Sequence, residues 1–164
     1  MNIFNKIKHY AKELITFVLL LTVLSNGVSY YKSSDLNKDN LTLNELTLLD
    51  NTKYNFPNDK AVMVHFWATW CPICKIEAST IQGVSKEYEV ITIAVESQNI
   101  EEYLKEQNVD FKVHHDEDSK LAQEFNIEVY PTTLIFDKNQ KLVFSDVGYT
   151  STLGLSIRMW WANL

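Results

Sequence analysis

The sequence predicts an α/β domain in which helices cover both faces of a mixed β-sheet. Three features support this: apolar runs rich in branched residues, amphipathic helical segments between them, and a short turn joining two strands near the C-terminus. A short turn pairs neighbouring strands antiparallel, whereas a helical crossover pairs them parallel, so the sheet must contain both orientations. At 164 residues the chain is long enough for one such domain and a short additional segment.

The chain supplies the elements of this sheet in a regular order. Leu41–Phe56 predicts a hairpin around a turn at Asp50–Asn51, and Ala61–Trp67 predicts a strand buried on both faces. The pattern then predicts a helix over 72–88, a strand over 90–95, a helix over 99–107, a short strand over 111–114, a helix capped by Asp118 or Ser119 and ending at 125, strands over 132–136 and 142–147, and a closing helix over 152–161. Trp160 and Trp161 are expected to pack this last helix, and the alternative is that they face the membrane.

The first residues carry an export pattern. Three lysines and a histidine precede an apolar run from Leu14 to Leu24, which continues more weakly to Tyr31. A helix over the 18 residues from 14 to 31 would be ~27 Å long, close to the ~30 Å core of a bilayer. Small residues at Ser25–Gly27 would suit a cleavage site, but the length favours an uncleaved anchor.

This pattern predicts residues 1–31 as a signal anchor, 32–40 as a polar linker and 41–164 as the folded domain. Because the lysines precede the apolar run, the positive-inside rule places the domain outside the cytoplasm. We therefore expect a single-pass protein of the inner (cytoplasmic) membrane whose domain faces the periplasm or the cell exterior.

The charge of the chain argues against nucleic acid as a partner. Three of the 15 basic and one of the 21 acidic residues precede Tyr31, which leaves 12 basic and 20 acidic residues, a net charge of −8. Nucleic-acid binding requires a basic surface, which this composition does not supply.

The two cysteines of the chain lie where the buried strand meets the following helix. Cys71 and Cys74 are three residues apart, so on a helix they share one face and can form a disulfide. The helix N-terminus favours a thiolate and lowers the pKa of the first cysteine, and Pro72 suits the first helical turn. Since closing a two-residue loop stabilises a fold little, the pair is predicted to be redox-active or metal-binding rather than a structural staple.

The stretch Trp67–Cys74 (Trp-Ala-Thr-Trp-Cys-Pro-Ile-Cys) closely resembles the active site of thioredoxin-fold proteins, and in particular the membrane-anchored, extracytoplasmic TlpA/DsbE group. Val129–Thr133 resembles the cis-proline loop of that group. The ending from Gly148 to Trp161 is similar to that of the suppressor-of-copper-sensitivity D (ScsD-like) disulfide oxidoreductases. The resemblance covers roughly the last three quarters of the chain and implies a thioredoxin fold and a protein disulfide oxidoreductase.

The resemblance implies roles for the residues of the motif. Cys71, at the exposed end of the motif, would be the nucleophile, and Cys74, one turn inward, would resolve the mixed disulfide. Pro131 would be cis, and would present the backbone of Tyr130 to a substrate chain. Trp70, Pro72 and Ile73 would complete the substrate-binding surface.

Two further residues are candidates for proton transfer to or from Cys74. Glu77 matches a glutamate found near the active site in TlpA/DsbE-type proteins, although an exposed helix glutamate would fit the pattern equally well. His65 occupies the position where many thioredoxins carry a buried acid, and its alternative is a hydrogen-bonded core histidine. Ser79 stands where these enzymes often have a helix-kinking proline, which predicts a straighter helix.

Two other classes of function compete with the enzyme. The two thiolates with His65 or Met63 could hold Cu(I), and a redox-inactive interaction module is the third class. A peroxidase is disfavoured because the Thr-x-x-Cys pattern of peroxiredoxins is absent. We expect no cofactor and no metal site, including at the acidic stretch around His114 and His115. The expected partners are exported cysteine-containing proteins, a membrane or periplasmic oxidoreductase that donates or accepts electrons, and the membrane itself.

Overall fold

A computed structural model describes residues 8–17, 19–20, 41 and 43–164 of the chain. Residues 8–17 and 19–20 are helical and exposed. The folded part contains, in order, β1 (Glu45–Thr47), β2 (Lys53–Asn55), β3 (Val62–Trp67), α1 (Pro72–Ser85), β4 (Glu89–Val95), α2 (Ile100–Gln107), β5 (Val113–Asp116), α3 (Lys120–Glu124), β6 (Thr132–Phe136), β7 (Leu142–Val147) and α4 (Thr152–Ala162).

Five strands form a mixed sheet in the order β5-β4-β3-β6-β7, and β1 and β2 form a separate antiparallel hairpin. Strands β4 and β5 continue parallel from β3, whereas β6 and β7 are antiparallel to their neighbours. The predicted mixed sheet and hairpin are therefore confirmed. β3 lies at the centre, which explains why all six of its residues are buried.

The alternating side chains of the sheet divide the core into two layers. On one face Met63 and Trp67 of β3 pack with α1, α2 and α4. On the other face Val64 and Phe66 pack with the β1–β2 hairpin and the residues around α3. Because the side-chain period of a strand is two, the odd-numbered residues of β3 all point towards α1, the helix that follows the cysteine motif.

The chain enters and leaves the domain at one end of the sheet. The Leu41 N–H donates to the carbonyl oxygen of Gln140, in the turn between β6 and β7. The Ala61 N–H, just before β3, donates to Oδ1 of Asn163, just after α4. The cysteines follow the opposite, C-terminal end of β3, so the two chain ends lie far from them along the sheet.

Two of the predicted elements differ in detail from the structure. β5 covers Val113–Asp116 rather than 111–114, because Thr92 of β4 pairs with Val113 while Phe111 packs into the core before the strand begins. Neither Asp118 nor Ser119 caps α3 with its side chain, since Ser119 has a left-handed backbone conformation and its hydroxyl donates to Glu96.

The buried carboxylate of Asp116 caps α3 instead. Its Oδ1 accepts the Leu121 N–H at 3.2 Å and its Oδ2 accepts the Ala122 N–H at 2.9 Å. Two of the unpaired N–H groups of the first turn are therefore satisfied by a residue at the end of β5.

The predicted anchor covers residues 1–31, most of which lie outside the described residues. Within the part of the chain that the structure describes, no helix is both long and apolar enough to cross a membrane. The linker over 32–40 lies wholly outside the described residues. The anchor and the linker therefore remain predictions of the sequence.

We predict that Asp116→Ala lowers the free energy of unfolding by about 1–2 kcal/mol, because it leaves the buried Ala122 N–H and the partly buried Leu121 N–H of α3 without their acceptor. Urea denaturation of the oxidised protein measures this change. The control is Asp118→Ala, which removes an exposed carboxylate paired only with Lys120 and should change stability by less than about 0.5 kcal/mol. Equal effects of the two substitutions would show that Asp116 is not the cap.

Candidate active site

The junction between β3 and α1 places both cysteines at the start of the helix. Cys71 is the N-cap of α1, with an extended backbone, and Pro72 occupies the first helical turn. Cys71 and Cys74 are joined as a disulfide, with Cα atoms 5.3 Å apart. The Cys74 N–H donates to the sulfur of Cys71 at 3.2 Å, so this sulfur fills the place that a capping oxygen usually takes.

Burial does not distinguish the two cysteines, contrary to the expectation that Cys71 is the exposed one. Their exposed fractions are 5% for Cys71 and 3% for Cys74, because the following helix and the loop before β6 cover both. The two cysteines differ in their roles in the hydrogen bond between them, in which Cys74 donates its N–H and the Cys71 sulfur accepts it. Cys71 Sγ receives an N–H from the helix N-terminus, where negative charge on sulfur is stabilised.

The loop before β6 lies directly against Cys71. The Tyr130–Pro131 peptide bond is cis, as predicted, and the Tyr130 carbonyl oxygen lies 3.6 Å from Cys71 Sγ. Two hydrogen bonds fix the loop: the Thr132 hydroxyl donates to the Val129 carbonyl at 2.7 Å, and the Gly148 N–H donates to the Pro131 carbonyl at 2.8 Å. A rigid backbone edge therefore stands beside the first sulfur.

Exposed apolar side chains surround the disulfide. Trp70 is 58% exposed, and its ring packs edge-on against Tyr130 with centroids 5.7 Å apart. The indole N–H of Trp70 donates to the Glu96 carbonyl at 3.3 Å, which holds the ring in place. Pro72 and Ile73 are also exposed on the first turn of α1. An apolar rim of this kind suits contact with another polypeptide.

Glu77, one turn after Cys74, is fully buried on the inner face of α1. Its Oε1 accepts the Thr150 N–H at 2.8 Å, while its Oε2 is buried and has no hydrogen-bond partner among the described residues. Burial raises the pKa of Glu77 to about 7, and the nearby Asp146 contributes in the same direction against the opposing effect of the Thr150 N–H. The alternative of an exposed glutamate is therefore wrong, and the carboxyl group can hold or release a proton near neutral pH.

Asp146 and Arg158 complete the surroundings of Glu77, and sequence reasoning missed both. Asp146 on β7 is buried and pairs with Arg158 of α4, with 3.0 Å between Oδ1 and Nη2. Burial raises the pKa of Asp146 and Arg158 opposes this effect. Arg158 is the only charged residue of α4, and this could have marked it as a candidate for an ion pair. Its partner could not be predicted, because Asp146 lies on a different element and no sequence pattern relates the two positions.

The His65 side chain is on the face of the sheet that α1 covers, but its hydrogen bond is to Thr133 and not to a cysteine. Its Nδ1 lies 2.9 Å from the hydroxyl oxygen of Thr133, and burial lowers the pKa of the ring to about 3, so the ring is neutral at physiological pH. The strand register places four polar residues side by side across the sheet: Thr92, His65, Thr133 and Asp146. Among the described residues no hydrogen bond joins His65 to Cys71 or Cys74.

The other histidines do not form a metal site in the described part of the chain. His114 Nδ1 lies 2.7 Å from the Thr47 carbonyl oxygen, which ties β5 to the hairpin. Over the described residues, no three His, Cys, Asp or Glu side chains come close enough together to hold a metal ion. No contact of the described residues favours the copper interpretation.

Comparisons with known proteins agree with this geometry. The profile of the AhpC/TSA family matches residues 35–145. A "Thioredoxin-like protein" of Haemophilus influenzae is 26% identical over 167 residues, which cover 99% of this chain and 98% of that protein. The "Thiol-disulfide oxidoreductase ResA" of Oceanobacillus iheyensis is 29% identical over 90 residues, or 51% of this chain and 47% of that protein.

Among solved structures, the exposed lipoprotein thioredoxin Etrx1 of Streptococcus pneumoniae superimposes with a TM-score of 0.62 and 25% identity. The superposition covers 71% of this chain and 97% of that chain. The predicted thioredoxin fold is therefore confirmed for the folded domain.

We predict that Glu77→Gln changes how stability depends on pH. A carboxyl group whose folded pKa is about 7 and whose unfolded pKa is 4.5 favours folding below pH 4.5, and this contribution is lost as the pH rises through 7. The oxidised Glu77→Gln variant should therefore lose less stability than the wild type between pH 5 and 9, by about 3 kcal/mol.

Urea denaturation at several pH values measures this difference. Glu87→Gln, which changes an exposed glutamate just after α1, is the control and should follow the wild-type curve. Parallel curves for Glu77→Gln and the wild type would mean that Glu77 ionises at its ordinary pKa.

Proposed function

The chain belongs to the AhpC/TSA family, and from this membership we propose that its Cys71–Cys74 pair exchanges disulfides with exported cysteine-containing proteins or with a partner oxidoreductase. The protein is a thiol–disulfide oxidoreductase of the thioredoxin-like kind. One observation carries the proposal: the disulfide begins a helix and lies against a cis-proline loop, inside an exposed apolar rim.

In the first step Cys71 acts as the nucleophile. Its thiolate attacks one sulfur of a client disulfide, forms a mixed disulfide, and releases the other client sulfur as a thiolate. The Cys74 N–H and the N-terminal end of α1 stabilise the negative charge on Cys71 before the attack. The same steps in reverse oxidise a client dithiol.

In the second step Cys74 resolves the mixed disulfide. Its thiolate attacks Cys71 Sγ, the enzyme disulfide forms, and the client leaves with both of its sulfurs reduced. Cys74 is buried and must first lose a proton, and burial opposes that ionisation. Glu77, one turn away and with a pKa of about 7, is the proton acceptor in this proposal, and His65 remains a neutral hydrogen-bonding residue.

Asp146 and Arg158 act through Glu77 as positioning residues. The negative charge of Asp146 favours the protonated form of Glu77, and Arg158 reduces that influence by pairing with Asp146. The last helix thereby sets the pH at which Glu77 can accept the Cys74 proton.

The substrate chain binds along the loop before β6. Tyr130 and Pro131 present a fixed backbone edge next to Cys71, and Pro131 has no N–H with which to pair that edge internally. Trp70, Pro72 and Ile73 add apolar contact on the other side of the disulfide. Backbone contacts of this kind tolerate many client sequences.

We also propose that residues 1–31 anchor the enzyme in the inner membrane, that 32–40 link it, and that the domain over 41–164 faces the periplasm or cell exterior. The basic flank and apolar run of the sequence support this. The similar Etrx1 structure is described as that of an exposed lipoprotein. The ending from Gly148 to Trp161 supports placement with the ScsD-like subgroup of the TlpA/DsbE group.

We predict that Cys71→Ser abolishes dithiothreitol-dependent reduction of insulin, because no thiolate remains to attack the client. Cys74→Ser keeps the nucleophile but removes the resolving thiol, so a mixed disulfide with a client should accumulate. Non-reducing electrophoresis detects this species. If Cys74→Ser reduced insulin at the wild-type rate, or if the client were trapped by Cys71→Ser instead, this assignment of the two roles would be wrong.

We predict that Glu77→Gln slows the resolving step by about 10²-fold and leaves formation of the mixed disulfide nearly unchanged, because only the resolving step needs the Cys74 proton removed. Stopped-flow measurements over a range of pH separate the two steps. Asp146→Asn should keep the resolving step but move its pH profile to lower pH, since it removes the charge that favours protonated Glu77.

Glu87→Gln serves as the control and should match the wild type in both steps. Superimposable profiles for Glu77→Gln and the wild type would assign the proton transfer to His65 or to water.

A further inference from the structure

The outer face of α4 carries an apolar stripe that no described residue covers. Its inner residues Leu155, Met159 and Ala162 pack into the core with α1 and β3. The outer residues of the helix occupy about 100° of its circumference, and with Leu164, which follows the helix, they are between 53% and 73% exposed. We call this set the α4 stripe: Leu153, Ile157, Trp160, Trp161 and Leu164.

This exposure contradicts the expectation that Trp160 and Trp161 pack the last helix. The helix is held instead by its inner residues and by Ser151, whose hydroxyl accepts the Gly154 N–H. Two adjacent exposed tryptophans and three large aliphatic side chains in one stripe are more apolar surface than a helix needs for folding.

The last helix differs in charge from the rest of the chain, which is acidic. From Thr152 to Leu164 there is no acidic residue, although the whole chain has a formal net charge of −6. The one charged residue, Arg158, is paired with Asp146 on the inner side. The helix that carries the stripe therefore contributes no carboxylate that a phosphate headgroup would repel.

The C-terminal part of the stripe, with Trp160, Trp161 and Leu164, also lies at the end of the domain where the N-terminal segment attaches. Leu41 bonds to the turn between β6 and β7, and Asn163 bonds to Ala61 at the same end of the sheet. The nine residues from Lys32 to Asn40 can span at most ~30 Å when fully extended. An anchor that precedes them would hold this end of the domain close to the bilayer.

From these observations we propose that the α4 stripe lies on the lipid bilayer, with Trp160 and Trp161 at the boundary between headgroups and acyl chains. Tryptophan is enriched at that boundary because its ring is apolar and its N–H is polar. The inference rests on the proposed membrane anchor, and it adds a second contact that fixes the orientation of the domain. The disulfide follows the other end of β3, so it lies away from the end of the domain at which Trp160 and Trp161 would contact the lipid.

The test uses the full chain reconstituted into phosphatidylcholine vesicles, made with or without bromine atoms on the acyl chains. Bromine quenches the fluorescence of tryptophans that contact the acyl region. The chain has four tryptophans, so three proteins are compared: the wild type, Trp160→Phe/Trp161→Phe, and the control Trp70→Phe at the active site. Brominated lipid should quench the wild type and Trp70→Phe, and should leave the double variant unquenched.

Vesicle flotation before and after a carbonate wash tests the anchor separately. Flotation that survives carbonate, together with quenching, supports both the anchor and the stripe. Flotation that survives carbonate without quenching overturns the stripe proposal alone. Quenching before the wash with loss of flotation after it overturns the anchor and supports the stripe.

Other occupants of the stripe give distinct results. Chemical cross-linking into dimers that disappears in Trp160→Ser/Trp161→Ser, with no quenching in the wild type, would assign the stripe to a second copy of the chain and overturn the proposal. Equal quenching of the wild type and the Trp160→Phe/Trp161→Phe variant would also overturn it, because the signal would then come from other tryptophans. Absence of both flotation and quenching overturns the stripe and the anchor together.

Discussion

The hydrogen bond from the Cys74 N–H to the sulfur of Cys71 is the interaction on which the site depends. It makes the first cysteine the cap of α1, so the helix N-terminus and the reactive sulfur occupy one place. The bond exists because β3 is buried and central and delivers the chain to this point in a fixed direction. The Thr69 N–H donates to the Ser97 hydroxyl, which fixes the connection between strand and helix from the side of β4.

A second set of contacts connects the site to the end of the chain. Glu77 on α1 accepts the Thr150 N–H just before α4, and Asp146 on β7 pairs with Arg158 within α4. Within the part of the chain that the structure describes, each carboxylate has one buried oxygen without a hydrogen-bond partner. Buried and incompletely bonded carboxylates destabilise a fold when ionised, so a carboxylate such as Glu77, one turn after Cys74, fits a role in proton transfer better than a role in stability. In the proposed mechanism the last helix therefore contributes to the chemistry although it contains no cysteine.

Most of the fold could be predicted from the sequence because its signals are local. The apolar strand before Cys71, the turn at Asp50–Asn51 and the short connection between β6 and β7 each determine their own structure from a few neighbouring residues. The cysteine pair could be predicted from its spacing, whereas the cis bond at Pro131 could be predicted only because the loop around it resembles that of a known family.

The features that could not be predicted depend on contacts between distant parts of the chain. Asp116 caps a helix that begins four residues later. Sequence patterns assign the cap to the residue directly before the helix, so they point to Ser119 instead. The raised pKa of Glu77 requires burial under α4, and the exposure of Trp160 depends on how that helix is rotated against the sheet. Helical periodicity alone identifies an apolar stripe but cannot say whether the core or another surface covers it.

The central claim is that the start of α1 makes Cys71, not its equally buried partner, the thiol that ionises first. The most direct measurement is the rate of iodoacetamide alkylation at each cysteine of the fully reduced protein as a function of pH, with the modified residue identified by mass spectrometry. We expect Cys71 to react first, with an apparent pKa below the ~8.5 of a free cysteine, and Cys74 to react only at higher pH. Faster alkylation of Cys74, or a Cys71 pKa at or above that of a free thiol, would contradict the account.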